Sequence, residues 1–350
     1  MTRQGAKTFR AIAALFVSSL AAQHLGVYDW AGSVNALPSP GALERFGADT
    51  VRIFLGGKYD YVKPENAPGR FAEIRGPVTL AKIAALPRYR ALFRNPKVPT
   101  VWLTAYPVFD YGQGPVEMKL TSGIPPERDW REASDQMTGL VDMLYREHGS
   151  ENRVVLISNN ETDEKLREIA SAGGDRHNEA RYLDRLRIGA DNARARYRKA
   201  KLKVLFGVEI KLWKQKLPDG TTALDAILPK LHYDFVSFSA WEVEEHPETI
   251  YEALDDIARR TRAGLTPLGR EVFGDHHVLI GEYGYAREWK IPLEPLFRAF
   301  LGAASPQHAP YVVYWQLYDN ASGGAKQFGL LDAQGRATPA GEILQTWKAR

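Results

Sequence analysis

The chain has no cysteine among its 350 residues. Disulfides, thiolate zinc sites and cysteine nucleophiles are thereby excluded. Other absences narrow the field further. No Gly-x-Gly-x-x-Gly follows the first candidate strand and no Walker loop occurs anywhere, which removes the main dinucleotide- and nucleotide-binding classes. A His-Glu-x-x-His helix and a His-x-His on the first strand are missing, so a metal-dependent hydrolase is disfavoured and neither metal nor cofactor is expected. The Gly-x-Ser-x-Gly elbow of a serine hydrolase is missing too.

Long apolar runs are scarce as well. The one that stands out, Ala11 to Ala22, follows Arg3, Lys7 and Arg10 and ends on Ser19-Leu20-Ala21. Basic start, short apolar middle and small-x-small ending predict a secretory signal peptide over residues 1–22, with export to the periplasm or cell exterior. The alternative is an N-terminal helix closing the bottom of a cytoplasmic fold. No stable membrane span is expected in the mature chain. The formal net charge is +4, with both signs interspersed. The densest basic stretch, Arg194 to Lys216, reads as a solvated helix end and loop, and no nucleic-acid partner is expected.

What is present is a regular alternation of apolar runs and amphipathic segments. Strand candidates are Leu25 to Tyr28, Val51 to Leu55, Thr100 to Thr104, Val154 to Ser158, Val204 to Val208, Phe235 to Phe238, Val278 to Gly281 and Tyr311 to Trp315. Continuous aliphatic runs of this length suit strands buried on both faces. Between them, Trp130 to His148, Asn178 to Lys199, Pro247 to Ala263, Leu293 to Leu301 and Thr338 to Lys348 have helical period. Eight such units predict an α/β fold, a (β/α)₈ TIM barrel spanning residues 23–350 as a single domain. In this register Lys58 to Gly76 and Tyr106 to Pro126 are long loops on the face where such barrels carry ligands.

Two strands end abruptly in a glutamate: Ser158-Asn159-Asn160-Glu161 after the fourth and Gly281-Glu282-Tyr283 at the seventh. Arg52 lies in the second strand, and Trp315 with Gln316 closes the eighth. Two carboxylates brought to one face form the acid/base pair that glycosidic cleavage requires. Glu209, at the end of strand five, is a rival acid or an extra substrate contact. Tyr106, Trp241 and Tyr283 supply aromatic groups near the expected mouth. Asp275-His276-His277 resembles a metal cluster but precedes strand seven, on the face that serves stability.

In these features the chain resembles the clan of retaining glycoside hydrolases built on (β/α)₈ barrels, with Asn-Glu after strand four and Glu at strand seven. The ending Phe328-Gly329-Leu330-Leu331-Asp332 is also similar to the closing segment of many such enzymes. The resemblance implies that Glu161 is the general acid/base, Glu282 the nucleophile, and an oligo- or polysaccharide the substrate. It further implies that Arg52 orients Glu282, Asn160 binds the sugar 2-hydroxyl and Trp315 floors a sugar ring. Where many members carry a His or Tyr after strand six, this chain has Ser239-Ala240-Trp241-Glu242. A non-catalytic carbohydrate-binding barrel and a transglycosylase are the competing readings.

Overall fold

In a computed structural model of the chain, the eight aliphatic runs form eight parallel strands that close into a barrel. The structure describes residues 23–29, 40–58, 60–61, 69–112, 114–121, 123–217, 219–319 and 327–348. The expected signal segment, residues 1–22, lies outside them. The strands are β1 (His24–Asp29), β2 (Thr50–Gly56), β3 (Thr100–Tyr106), β4 (Val154–Ser158), β5 (Lys203–Ile210), β6 (Phe235–Ser239), β7 (Val278–Tyr283) and β8 (Tyr311–Trp315). Each pairs with its neighbours in sequence, and β8 pairs back onto β1. The fold is a single (β/α)₈ barrel, as the alternation of runs predicts.

Helices cover the barrel. The main ones are α1 (Glu127–His148), α2 (Thr162–Ser171), α3 (His177–Arg194), α4 (Ile250–Thr261), α5 (Leu293–Ala303) and α6 (Pro339–Lys348). The stripe of Tyr182, Leu183, Leu186, Ala190 and Ala193 on α3 is buried throughout. Gly189 lets α3 approach α1 closely, because a β-carbon there would meet the Ser134 carbonyl of α1. Shorter helices at Pro40–Arg45, Leu80–Ala84, Pro87–Phe93 and Pro267–Phe273 complete the shell. They carry too few turns for helical period to show in the sequence.

One irregularity in the barrel bears on the site. Along the β6–β7 pair, Phe238 faces Ile280 but Ser239 faces Glu282, so Gly281 is the extra residue of a bulge. A bulge re-aims side chains locally. Here it leaves both Gly281 and Glu282 directed at the barrel interior. At the opposite end, His277 is buried and its Nε2 lies 2.8 Å from the Thr261 hydroxyl of α4. Burial depresses its pKa to about 4. The Asp275-His276-His277 run is therefore part of the floor of the barrel, and among the described residues no group of acids and histidines could hold a metal ion. No described helix is long and apolar enough to cross a membrane.

Candidate active site

The lower layer of the site is an ion pair. Arg52, on β2, is wholly buried and donates to both Glu209 oxygens, at 2.6 and 2.9 Å. Its remaining donors reach the Gly281 carbonyl at 3.0 Å and the Thr104 hydroxyl at 2.9 Å. The Tyr28 and Trp102 rings flank the guanidinium, with centroids 4.5 and 5.0 Å away. Glu209 also accepts from the Ser237 hydroxyl and, at 3.3 Å, from the Glu161 backbone N–H. Expected as a substrate contact or rival acid, Glu209 has no free surface. It is a structural partner of Arg52, because β5 places it one layer below the mouth, level with Ser237.

The upper layer holds the two strand-end glutamates. Glu161 follows β4 and caps α2 in a left-handed conformation, with φ 34° and ψ 74°. Non-glycine residues rarely adopt this region, and those that do cluster at functional sites. Its Oε1 lies 3.1 Å from the Ser239 hydroxyl and its Oε2 3.2 Å from the Lys211 ammonium. Glu282, from β7, accepts through Oε2 from Ser239 at 2.9 Å and from the Trp241 indole N–H at 3.1 Å. Its other oxygen, Oε1, is buried without a hydrogen-bond partner, 3.6 Å from the Arg52 guanidinium.

Ser239 therefore touches both carboxyl groups, and the contact oxygens can be at most about 6 Å apart. Retaining glycosidases keep their pair about 5–5.5 Å apart, while inverting ones need about 6.5–9.5 Å to seat a water. Both groups are almost fully buried. Burial, then repulsion from Glu282, pushes the Glu161 carboxyl well above the usual carboxylate range, against the pull of Lys211. Glu282 is raised to about 7, by burial first and by the negative charge of Glu209, while Arg52, Ser239 and Trp241 oppose the rise.

The other expected contacts divide. Trp241 reaches the site as a donor to Glu282 and packs edge-on against Phe328 and Trp289, at 5.5 and 6.4 Å. Trp315 is half-buried at the end of β8, its ring edge-on to Tyr28 at 4.6 Å. Gln316 follows it, buried, with its side-chain oxygen unpartnered. Tyr106 accepts from the Asn160 backbone N–H at 2.7 Å, so it fixes the turn that delivers Glu161. The Asn160 side chain is half-buried and makes no hydrogen bond among the described residues. Asn159, beside it, is committed to the scaffold through the Glu209 N–H and the Thr162 hydroxyl, both at 2.9 Å.

Tyr283 corrects the expectation. Its ring stacks on Phe300 of α5 at 4.6 Å and lies edge-on to Tyr314 at 5.2 Å, in the layer between barrel and helices. Following an inward Glu282, it points outward. Glu242 likewise serves a loop, accepting from the backbone N–H groups of Trp213, Lys214 and Gln215. Two further groups complete the site, Ser239 and Lys211, which sequence reasoning does not single out. Ser239 stood where an aromatic was expected, and that departure was the available signal.

No family model matches the chain, and no curated protein matches it in sequence. Among solved structures it is similar to a β-glucosidase from Thermotoga maritima in complex with glucoimidazole. The identity is 14%, with 92% of this chain and 97% of that chain covered at a TM-score of 0.56. The same enzyme in complex with cyclophellitol matches at 14% identity over 94% and 97% of the two chains, TM-score 0.55. The shared feature is the fold.

Proposed function

We propose that the protein is a glycoside hydrolase acting on an oligo- or polysaccharide with retention of anomeric configuration. The observation that carries this reading is the meeting of Glu161 and Glu282 over one hydroxyl, which brings one oxygen of each within about 6 Å of the other. In the first displacement, Glu161 gives its proton to the departing glycosidic oxygen. Glu282 attacks the anomeric carbon. Water, deprotonated by Glu161, then releases the sugar. Arg52 favours the ionised nucleophile, and Trp241 orients it through Oε2. Asn160 supplies a donor for a substrate hydroxyl, and the half-buried Trp241 and Trp315 supply apolar faces for sugar rings. Action outside the cytoplasm is proposed on the sequence of residues 1–22 alone.

The test is turnover of aryl glycosides of several sugars in both anomeric forms, with the first-formed product followed by proton NMR. Retention, with loss of turnover in both Glu161→Gln and Glu282→Gln, is expected. Inversion would overturn the mechanism. Ligand binding without turnover would leave a carbohydrate-binding barrel, and products extended by an added sugar acceptor would reveal a transglycosylase.

A further inference from the structure

A serine hydroxyl has one hydrogen to give and two lone pairs. Ser239 Oγ faces a Glu161 oxygen at 3.1 Å and a Glu282 oxygen at 2.9 Å, and is itself fully buried. It cannot donate to both. If both carboxyls were ionised, one of them would face an oxygen lone pair at an almost fully buried position, which burial makes unfavourable. Both Ser239 contacts are satisfied when one carboxyl holds a proton and donates it to Ser239 while the serine donates to the other. The surroundings choose which. Glu282 Oε2 already accepts from Trp241, and its other oxygen faces Arg52. Glu161 has the ammonium of Lys211 on Oε2 and a side-chain hydrogen bond with Glu164; the ammonium disfavours a proton on Oε2 and favours one on Oε1, the oxygen against Ser239.

We propose that Ser239 is the positioning residue that assigns the shared proton, accepting from Glu161 and donating to Glu282 in the resting protein and turning to donate to Glu161 once Glu282 is esterified. The second half rests on the hydrolase reading; the resting arrangement does not. In the first displacement, the Glu161 proton passes to the leaving oxygen as the glycosidic C–O bond breaks, and Glu282 Oε1 bonds to the anomeric carbon. Glu282 Oε2 is then an ester carbonyl, a weaker acceptor, while Glu161 has become a carboxylate. A turn of one hydroxyl re-aims the Ser239 hydrogen at the new charge. In the second displacement, water bonds to the anomeric carbon and gives a proton to Glu161. The ester bond breaks, charge returns to Glu282, and the hydroxyl turns back. The charged and titratable groups around this relay are Arg52, Glu209 and Tyr28 on the Glu282 side and Lys211 and Glu164 on the Glu161 side.

The experiment needs no substrate. In protein labelled at the glutamate carboxyl carbon, the Glu161 and Glu282 resonances, assigned through Glu161→Gln and Glu282→Gln, are titrated by carbon NMR. Ser239→Ala should raise the Glu282 midpoint, by loss of a donor, and lower the Glu161 midpoint, by loss of an acceptor, each by about one pH unit. Ser239→Thr should restore both. If the alanine variant does not fold, Ser239→Cys keeps the volume with a weak donor and should move both midpoints the same ways by less. In turnover, the pH profile of kcat/KM should narrow on both limbs, with a loss of roughly 10- to 100-fold at its maximum. Midpoints that stay put, or that move in the same direction, overturn the proposal even if activity is lost. Opposed movement without turnover of any glycoside would keep the resting relay and sink the hydrolase reading.

Discussion

Arg52 and Glu209 form a bidentate ion pair, at 2.6 and 2.9 Å, sealed from solvent directly beneath the Glu282 carboxylate. The pair withholds most of Arg52 from Glu282, and the Glu209 charge pushes the Glu282 carboxyl upward. Removing the Glu209 charge should therefore lower the Glu282 midpoint and move the acidic limb of the activity profile to lower pH. Glu209→Gln tests this by the pH dependence of kcat/KM. Glu209→Ala should also cost about 3–5 kcal/mol of stability in urea denaturation, because it strands a buried guanidinium.

Gly281 belongs to the same assembly. A β-carbon there would come within 2.6 Å of Glu209 Oε2 and 2.7 Å of Arg52 Nη1, and would overlap the Ser237 hydroxyl. None of these is the free end of an exposed side chain. Gly281→Ala should destabilise the protein by about 1–3 kcal/mol and lower activity by displacing Glu282. Thermal unfolding with single-turnover rates would show both.

The pH dependence of activity should be a bell. Its acidic limb, set by Glu282 losing its proton, should fall near pH 7. The basic limb is set by Glu161, whose carboxyl is pushed well above the usual carboxylate range by burial and the Glu282 charge. Because the two carboxyls interact, the limbs report apparent values of the pair. An optimum near pH 4 to 5 would contradict the upward shift of both carboxyls.

Stability should show the reverse trend. Folded Glu282 stays protonated up to about pH 7, where an ordinary glutamate loses its proton near 4.5. Across that window the folded state binds more protons than the unfolded chain, and stability falls as pH rises. The loss is on the order of 3 kcal/mol for so buried a group. Glu282→Gln should flatten the decline and be more stable than the parent above pH 7. His277 acts at the other end: held neutral to about pH 4, it contributes stability that is lost as pH falls from 6.5 through 4.

The left-handed backbone of Glu161 separates function from stability. Glycine adopts this conformation without penalty. Glu161→Gly should leave stability unchanged or higher by about 1 kcal/mol while activity falls roughly 10²- to 10⁴-fold. Parallel losses in both would show that Glu161 is structural.

The barrel was legible because Val154 to Ser158 and Val278 to Gly281 are apolar runs that only doubly buried strands accommodate. Glu209 and Glu282 looked alike, since both end such runs. Their difference lies in register: β5 sets Glu209 beside Ser237, whereas the bulge at Gly281 lifts Glu282 beside Ser239. That offset is a property of strand pairing, and nothing local encodes it. Tyr283 departs from its expected place for a related reason: the bulge puts two consecutive residues inward and the next outward. Ser239 is too small to announce itself. Its role exists only where two carboxyl groups from distant segments converge on one oxygen.

The most direct measurement of the central claim is covalent trapping. The protein would be incubated with activated 2-deoxy-2-fluoroglycosides of several sugars and digested, and the labelled peptide sequenced by mass spectrometry. A single sugar adduct on Glu282, slow to turn over and absent from Glu282→Gln, is the expected result. An adduct on another residue, or turnover of the same glycosides without any adduct, would contradict the assignment of Glu282 as nucleophile.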